Sequence, residues 1–226
     1  MISHVIVTGS ARSGTTLLME SMWRLDSVHV DNRERRYDTE SRRYFSDLRE
    51  SLNVNLTVSK RPGDCPSLAS TLATWPDVKA LVIMRDGRDA MCSKNPVTGD
   101  YMANPRLWHS YACRLDEVRH DPRVYIIRYE SFVLDPDTHM EMIAHWLDTK
   151  VVRTWAEVCE KLNPDDRLPR VMNGIRPVDT HSVGQWKKPE HRKRLKDVGL
   201  TLVPQLIAWG YAADDQWYRD IVQAPD

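Results

Sequence analysis

The chain has no apolar run long enough to cross a membrane. It has no excess of either charge, because 32 basic residues meet 32 acidic ones. The charge balance removes the case for a broadly basic nucleic-acid surface and leaves room only for a local cationic pocket. The four cysteines (Cys65, Cys92, Cys113 and Cys159) are scattered, with no pair at the spacing of a zinc or redox motif. The eight histidines are dispersed as well, with neither HExxH nor His-x-His among them. A disulfide framework and a metal site are therefore not expected. Nor does the N-terminus show the basic region, apolar stretch and cleavage site of a secretory signal, so a cytoplasmic location is expected.

What the chain does contain is an alternation. Its 226 residues suit one domain with a sizeable core. Runs rich in β-branched residues at Ile2–Thr8, Val54–Ser59, Ala80–Met84 and Val124–Ile127 read as strands. Helical patterns at Thr15–Trp23, Ser67–Thr74, Arg88–Lys94, Arg106–Arg119 and Asp137–Trp146 separate or follow them, and helices should close the chain after His191. The expected fold is α/β, a central parallel sheet flanked by helices in three layers, with ligands at the carboxyl ends of the strands. Two stretches break the alternation. Residues 24–50 carry dense mixed charge, which suits either a solvated helix and loop or a flap over a substrate. Residues 163–190 hold Pro164, Pro169, Gly174, Pro177, Gly184 and Pro189 and read as a long irregular cover.

The most informative segment is Val5-Ile6-Val7-Thr8-Gly9-Ser10-Ala11-Arg12-Ser13-Gly14-Thr15-Thr16-Leu17-Leu18. A buried strand runs into a turn of small residues, and a helix opens at the threonines. Backbone amides in such a turn point inward and favour anionic oxygens. The pattern is that of a P-loop, GxxxxGK[ST], with one departure. Thr15 stands where the lysine would be, and the cation, Arg12, lies inside the loop. A second anchor follows at Val82-Ile83-Met84-Arg85-Asp86-Gly87-Arg88-Asp89, where Arg85 ends a strand and Ser93 lies eight residues on. An arginine fork and a hydroxyl at that spacing can share one phosphate, although RDGRD is equally compatible with a surface salt-bridge turn.

Together these segments resemble the sulfotransferase superfamily, which takes its sulfuryl group from 3′-phosphoadenosine 5′-phosphosulfate (PAPS) and releases 3′-phosphoadenosine 5′-phosphate (PAP). In wording, RSGTTL and RDGR are most similar to the tyrosylprotein sulfotransferases and their bacterial relatives. Ser59-Lys60-Arg61-Pro62, the block from Val124 through Arg128-Tyr129-Glu130 to Asp135-Pro136, and Ser182-Val183-Gly184-Gln185-Trp186-Lys187-Lys188 follow in the family's order. The resemblance implies a P-loop-containing fold in one domain, residues 1–226, with 24–50 and 163–190 as flexible covers of substrate and cofactor. It implies metal-independent, in-line transfer to an acceptor hydroxyl or amine on a small molecule, glycan or peptide.

Site roles follow from the resemblance, residue by residue. Arg12, Ser13, Gly14, Thr15 and Thr16 hold the 5′-phosphosulfate, and Arg85 and Ser93 hold the 3′-phosphate. Lys60 stabilises the leaving group, with a surface cation as the plain alternative. Tyr129 contacts the nucleotide or packs at a strand end. In the late block (Ser182, Gly184 and Trp186), Gly184 stands where relatives have a catalytic serine, and Ser182 is the candidate substitute. The general base falls in Val30-Asp31-Asn32-Arg33-Glu34, with Glu34 the first choice and Asp31 the second. Two other functions stay open at this stage. One is a small P-loop nucleotide or metabolite kinase, against which the missing lysine speaks. The other is a nucleotide-binding module without activity.

Overall fold

The computed structural model describes residues 2–95, 97–161 and 178–224. Five strands form one sheet: β1 (His4–Gly9), β2 (Val28–Asp31), β3 (Leu56–Lys60), β4 (Val78–Met84) and β5 (Val124–Arg128). They lie in the order β2-β3-β1-β4-β5, and every pairing is parallel. The chain leaves β1 toward one edge, through β2 and β3, and then crosses to the other edge for β4 and β5. The direction therefore reverses beside the carboxyl end of β1, where open parallel sheets bind their ligands.

Both faces of the sheet are covered, which is why its strands read as continuous apolar runs rather than alternating ones. Val5, Val7, Leu81 and Ile83 point to one face. They meet α1 (Thr15–Ser21), α6 (Tyr129–Leu134) and α7 (Pro136–Leu147) through Leu18, Phe132 and Ile143. Ile6, Ala80, Val82 and Met84 point to the other. That face packs on α2 (Thr39–Leu52), α3 (Leu68–Thr74) and α5 (Pro105–Asp116) through Phe45, Leu72 and Leu115. A third cluster joins α4 (Gly87–Cys92) and α5 to α9 (Arg192–Ala208) through Met91, Trp108 and Leu202. The chain also forms α8 (Trp155–Lys161) and α10 (Gln216–Gln223).

Helix starts follow their caps. Asn104 accepts from the amides of Arg106 and Leu107 ahead of Pro105, and Asp135 accepts from Thr138 ahead of Pro136. Asp86 caps α4 by accepting from the Arg88 amide.

The charged stretch 24–50 holds the largely exposed helix of one sequence reading and adds a strand that neither reading included. It contains an edge strand, β2, and the 14-residue helix α2. Val28 and Val30 bury one face of the strand, and Phe45 buries one face of the helix. Asp38 and Ser41 form a reciprocal capping box that fixes the start of α2. A four-residue edge strand flanked by charge gives too short a pattern to register in sequence. Of the late irregular stretch, residues 163–177 lie outside the described residues. Residues 178–190 contribute two 3-10 turns, Gln185–Lys187 and Pro189–His191. Among the described residues no helix is long and apolar enough to cross a membrane.

Candidate functional site

The turn between β1 and α1 is folded by its own serine. Ser13 is fully buried, and its Oγ donates to the Ser10 carbonyl at 2.6 Å. Arg12 sits at φ 68°, a left-handed conformation that costs a side-chain-bearing residue about 1–2 kcal/mol. The conformation turns its guanidinium across the loop toward the end of β4. Gly14 takes φ 94° and caps α1, and as a glycine it offers no side-chain cap bond to the first amides of that helix. A β-carbon built on Gly14 would lie 2.6 Å from the Tyr129 ring. Gly14→Ala is therefore expected to destabilise the fold by about 1–3 kcal/mol, read as a lower urea midpoint. An unchanged midpoint would show that the loop has room to shift.

On one side of the turn, three predicted residues meet. Arg12 Nε donates to Ser93 Oγ at 2.8 Å, and Arg85 donates one terminal nitrogen to the Arg12 carbonyl at 2.9 Å. The other terminal nitrogen of Arg85 donates to the Ser182 carbonyl, which ties the late block to this corner. The Arg85 guanidinium lies 4.6 Å from the centre of the Tyr129 ring. Tyr129 is buried in the core behind Gly14, so it supports both the loop and the arginine. Among the described residues neither guanidinium is ion-paired with a carboxylate. Burial, and then the charge of Arg85, lower the pKa of Arg12. Arg85 Nε is buried without a hydrogen-bond partner. Two crowded cations and an orphaned donor make a corner that an anion would relieve.

On the other side lies Lys60. It ends β3, in register with Val7, and it is only 8% exposed. Its Nζ donates to Thr16 Oγ1 at 3.2 Å and to Glu34 at 2.5 Å. The plain alternative, a lysine free on the surface, does not describe it. Glu34 is more than half exposed, so its carboxylate borders solvent while holding Lys60. Asp31, at the end of β2, is buried and accepts from the Arg33 amide and from Arg35 Nε. Of the two carboxylates, Glu34 is the one on the lysine.

Two residues that matter here were missed in the sequence. Asp89, on α4, accepts from the Gly184 amide at 2.7 Å with one oxygen and from the Trp186 amide at 2.9 Å with the other. Burial pushes its carboxyl pKa up, against these two amides, which pull it down. Arg88 is held by Asp86 and stacks on the Trp186 ring at 4.0 Å. RDGRD is thus not a surface turn: its four charged residues are all buried. One acidic residue within a short helix, with a second at its N-cap, beside a predicted phosphate site was the available signal. Among the described residues no group of three or more His, Cys, Asp or Glu side chains is placed to hold a metal ion.

No protein-family model and no curated protein matches this chain. Solved structures do. The sulfotransferase domain from the curacin biosynthetic pathway aligns over 88% of this chain and 98% of its own length, with a TM-score of 0.57 and 15% identity. The sulfotransferase from Alicyclobacillus acidocaldarius aligns over 97% and 99%, with a TM-score of 0.55 and 15% identity. The chain has the sulfotransferase fold. A mouse sulfotransferase complexed with PAP gives the same picture, over 99% of this chain and 89% of that one, at TM-score 0.55 and 15% identity. At such identities the likeness is one of fold, and chemistry has to be argued from the residues.

Proposed function

We propose that this chain transfers a sulfuryl group from PAPS to an acceptor hydroxyl or amine. The carrying observation is the pair of cationic corners on either side of one loop, Arg12–Arg85–Ser93 and Lys60–Thr16. A donor with a phosphate at one end and a phosphosulfate at the other presents two anionic groups, and these corners suit them. The orphaned Arg85 Nε supports an acceptor oxygen at the first corner. Arg85 and Ser93 would hold the 3′-phosphate, with Arg12, bonded to Ser93, in the same corner. The amides of Ser13 to Thr16 and the two threonine hydroxyls would hold the 5′-phosphate. The narrower likeness to tyrosylprotein sulfotransferases rests on the wording of the two loops. The acceptor class stays as wide as small molecule, glycan or peptide.

The donor supplies an activated sulfur, and this chain's residues do the rest. The bond from sulfur to the 5′-phosphate oxygen breaks as a bond from sulfur to the acceptor forms. Lys60 neutralises the charge gathering on the departing phosphate oxygen, the point where a fixed cation contributes most. Glu34 takes the acceptor's proton. Its position on Lys60 supports that role, since the two groups it must serve, acceptor and leaving oxygen, flank the same sulfur. Asp89 ties the late block to α4 through the Gly184 and Trp186 amides, and Ser182, whose carbonyl is held by Arg85, stays the candidate for the role of the serine that Gly184 lacks.

A thermal shift separates this reading from its rivals. PAP at a hundredfold excess over its Kd should add about 2.7 kcal/mol, a rise of roughly 5–10 °C in Tm. Radiolabelled sulfate from PAPS should then appear on an acceptor drawn from a broad panel. Stabilisation by ATP–Mg and not by PAP would indicate a kinase. PAP binding with no transfer to any acceptor would indicate an inactive module.

A further inference from the structure

We infer that Asp31 is the positioning residue for Glu34, holding the loop after β2 so that the Glu34 carboxylate meets Lys60. This deepens the reading of Glu34 as the base, although the placement itself can be tested without it. Glu34 stands between two residues that Asp31 grips. One Asp31 oxygen accepts from the Arg33 amide at 3.0 Å, and the other accepts from Arg35 Nε at 3.1 Å. The Arg35 guanidinium in turn lies 4.4 Å from the centre of the Tyr44 ring, which ties the loop to α2. Main chain and side chain are therefore clamped on both flanks of Glu34 by one carboxylate.

The anchor of that clamp is rigid. Asp31 is 6% exposed and lies in register with Ser59, the residue before Lys60. The strand pairing thus sets Asp31 and Lys60 at adjoining positions at one end of the sheet, and the loop only has to reach back across one strand. Glu34, more than half exposed, gains little from burial to hold it. An exposed surface ion pair is ordinarily worth little because its side chains must be ordered first. The Asp31 clamp pays that ordering in advance.

The test needs neither donor nor acceptor. Lys60 should be acetylated slowly by sulfo-NHS acetate, scored by mass spectrometry against exposed Lys188 as an internal reference. Glu34→Gln should speed Lys60 acetylation several-fold, because the ion pair is lost. Asp31→Ala should speed it to a similar degree, and the double variant should be no faster than Glu34→Gln alone. Asp31→Asn, which keeps an acceptor for the Arg33 amide, should fall between wild type and Asp31→Ala. Should Asp31→Ala fail to fold, Arg35→Gln removes one of the two Asp31 bonds together with the Tyr44 contact and should give a smaller acceleration that also vanishes in the Glu34→Gln background. Wild-type protection of Lys60 in Asp31→Ala, or an effect that adds to Glu34→Gln, would overturn the inference. Sulfuryl transfer by Glu34→Gln at the normal rate would instead remove the base reading and leave the clamp standing.

Discussion

Lys60→Ala is expected to lower turnover by about two to three orders of magnitude while PAP affinity stays close to that of the intact protein. In the proposed mechanism Lys60 would face the leaving oxygen, whose charge grows only as the sulfur departs, so its contribution would be concentrated in the transition state. Stability should change little. The Glu34 carboxylate left behind is more than half exposed and recovers water, whereas a fully buried partner would be stranded. Saturation kinetics with PAPS, alongside calorimetry with PAP, separate the two quantities. Near-normal turnover would take Lys60 out of the chemistry.

Arg85→Ala should act the other way, weakening PAP by about 2–4 kcal/mol, which is roughly 30-fold to 1000-fold in Kd. Two losses combine. One is the contact to the 3′-phosphate, and the other is the clamp that Arg85 makes between the Arg12 and Ser182 carbonyls. Arg85→Lys serves as the control, since it keeps the charge but its donors radiate from one nitrogen and cannot span the Arg12 and Ser182 carbonyls and a phosphate as the planar fork does. Lysine should recover part of the loss. Unchanged PAP affinity in the alanine variant would place the 3′-phosphate elsewhere and undo the two-corner reading.

The turn between β1 and α1 was legible because its signal is local. Strand, small residues, Arg12 and the paired threonines lie within one unbroken stretch, and each has a backbone reason to be there. The relation of Arg85 to Ser93 was legible only as a spacing. In the structure Ser93 accepts its bond from Arg12, with Arg85 on the Arg12 carbonyl, so the three residues form one corner. Tyr129 illustrates a different limit. Sequence left open whether it touches ligand or core, and the structure shows it packed behind Gly14 and beneath Arg85. The role of Asp89 was not readable from its short helix alone, because its partners, the Gly184 and Trp186 amides, come from a distant loop and backbone amides carry no residue signature.

By itself the sequence determined the α/β class, four of the five strands and the strand–turn–helix around Gly14, since apolar strands, caps and a glycine-bearing loop are read from neighbours along the chain. It also determined which residue types were available for the chemistry. Only the tertiary structure decided which of them meet. The placement of β2 beside β3 brings Glu34 to Lys60, and the packing of α4 under the late block brings Asp89 to Trp186. Such pairings depend on strand order and helix packing, which are set by burial of the whole core rather than by any one segment.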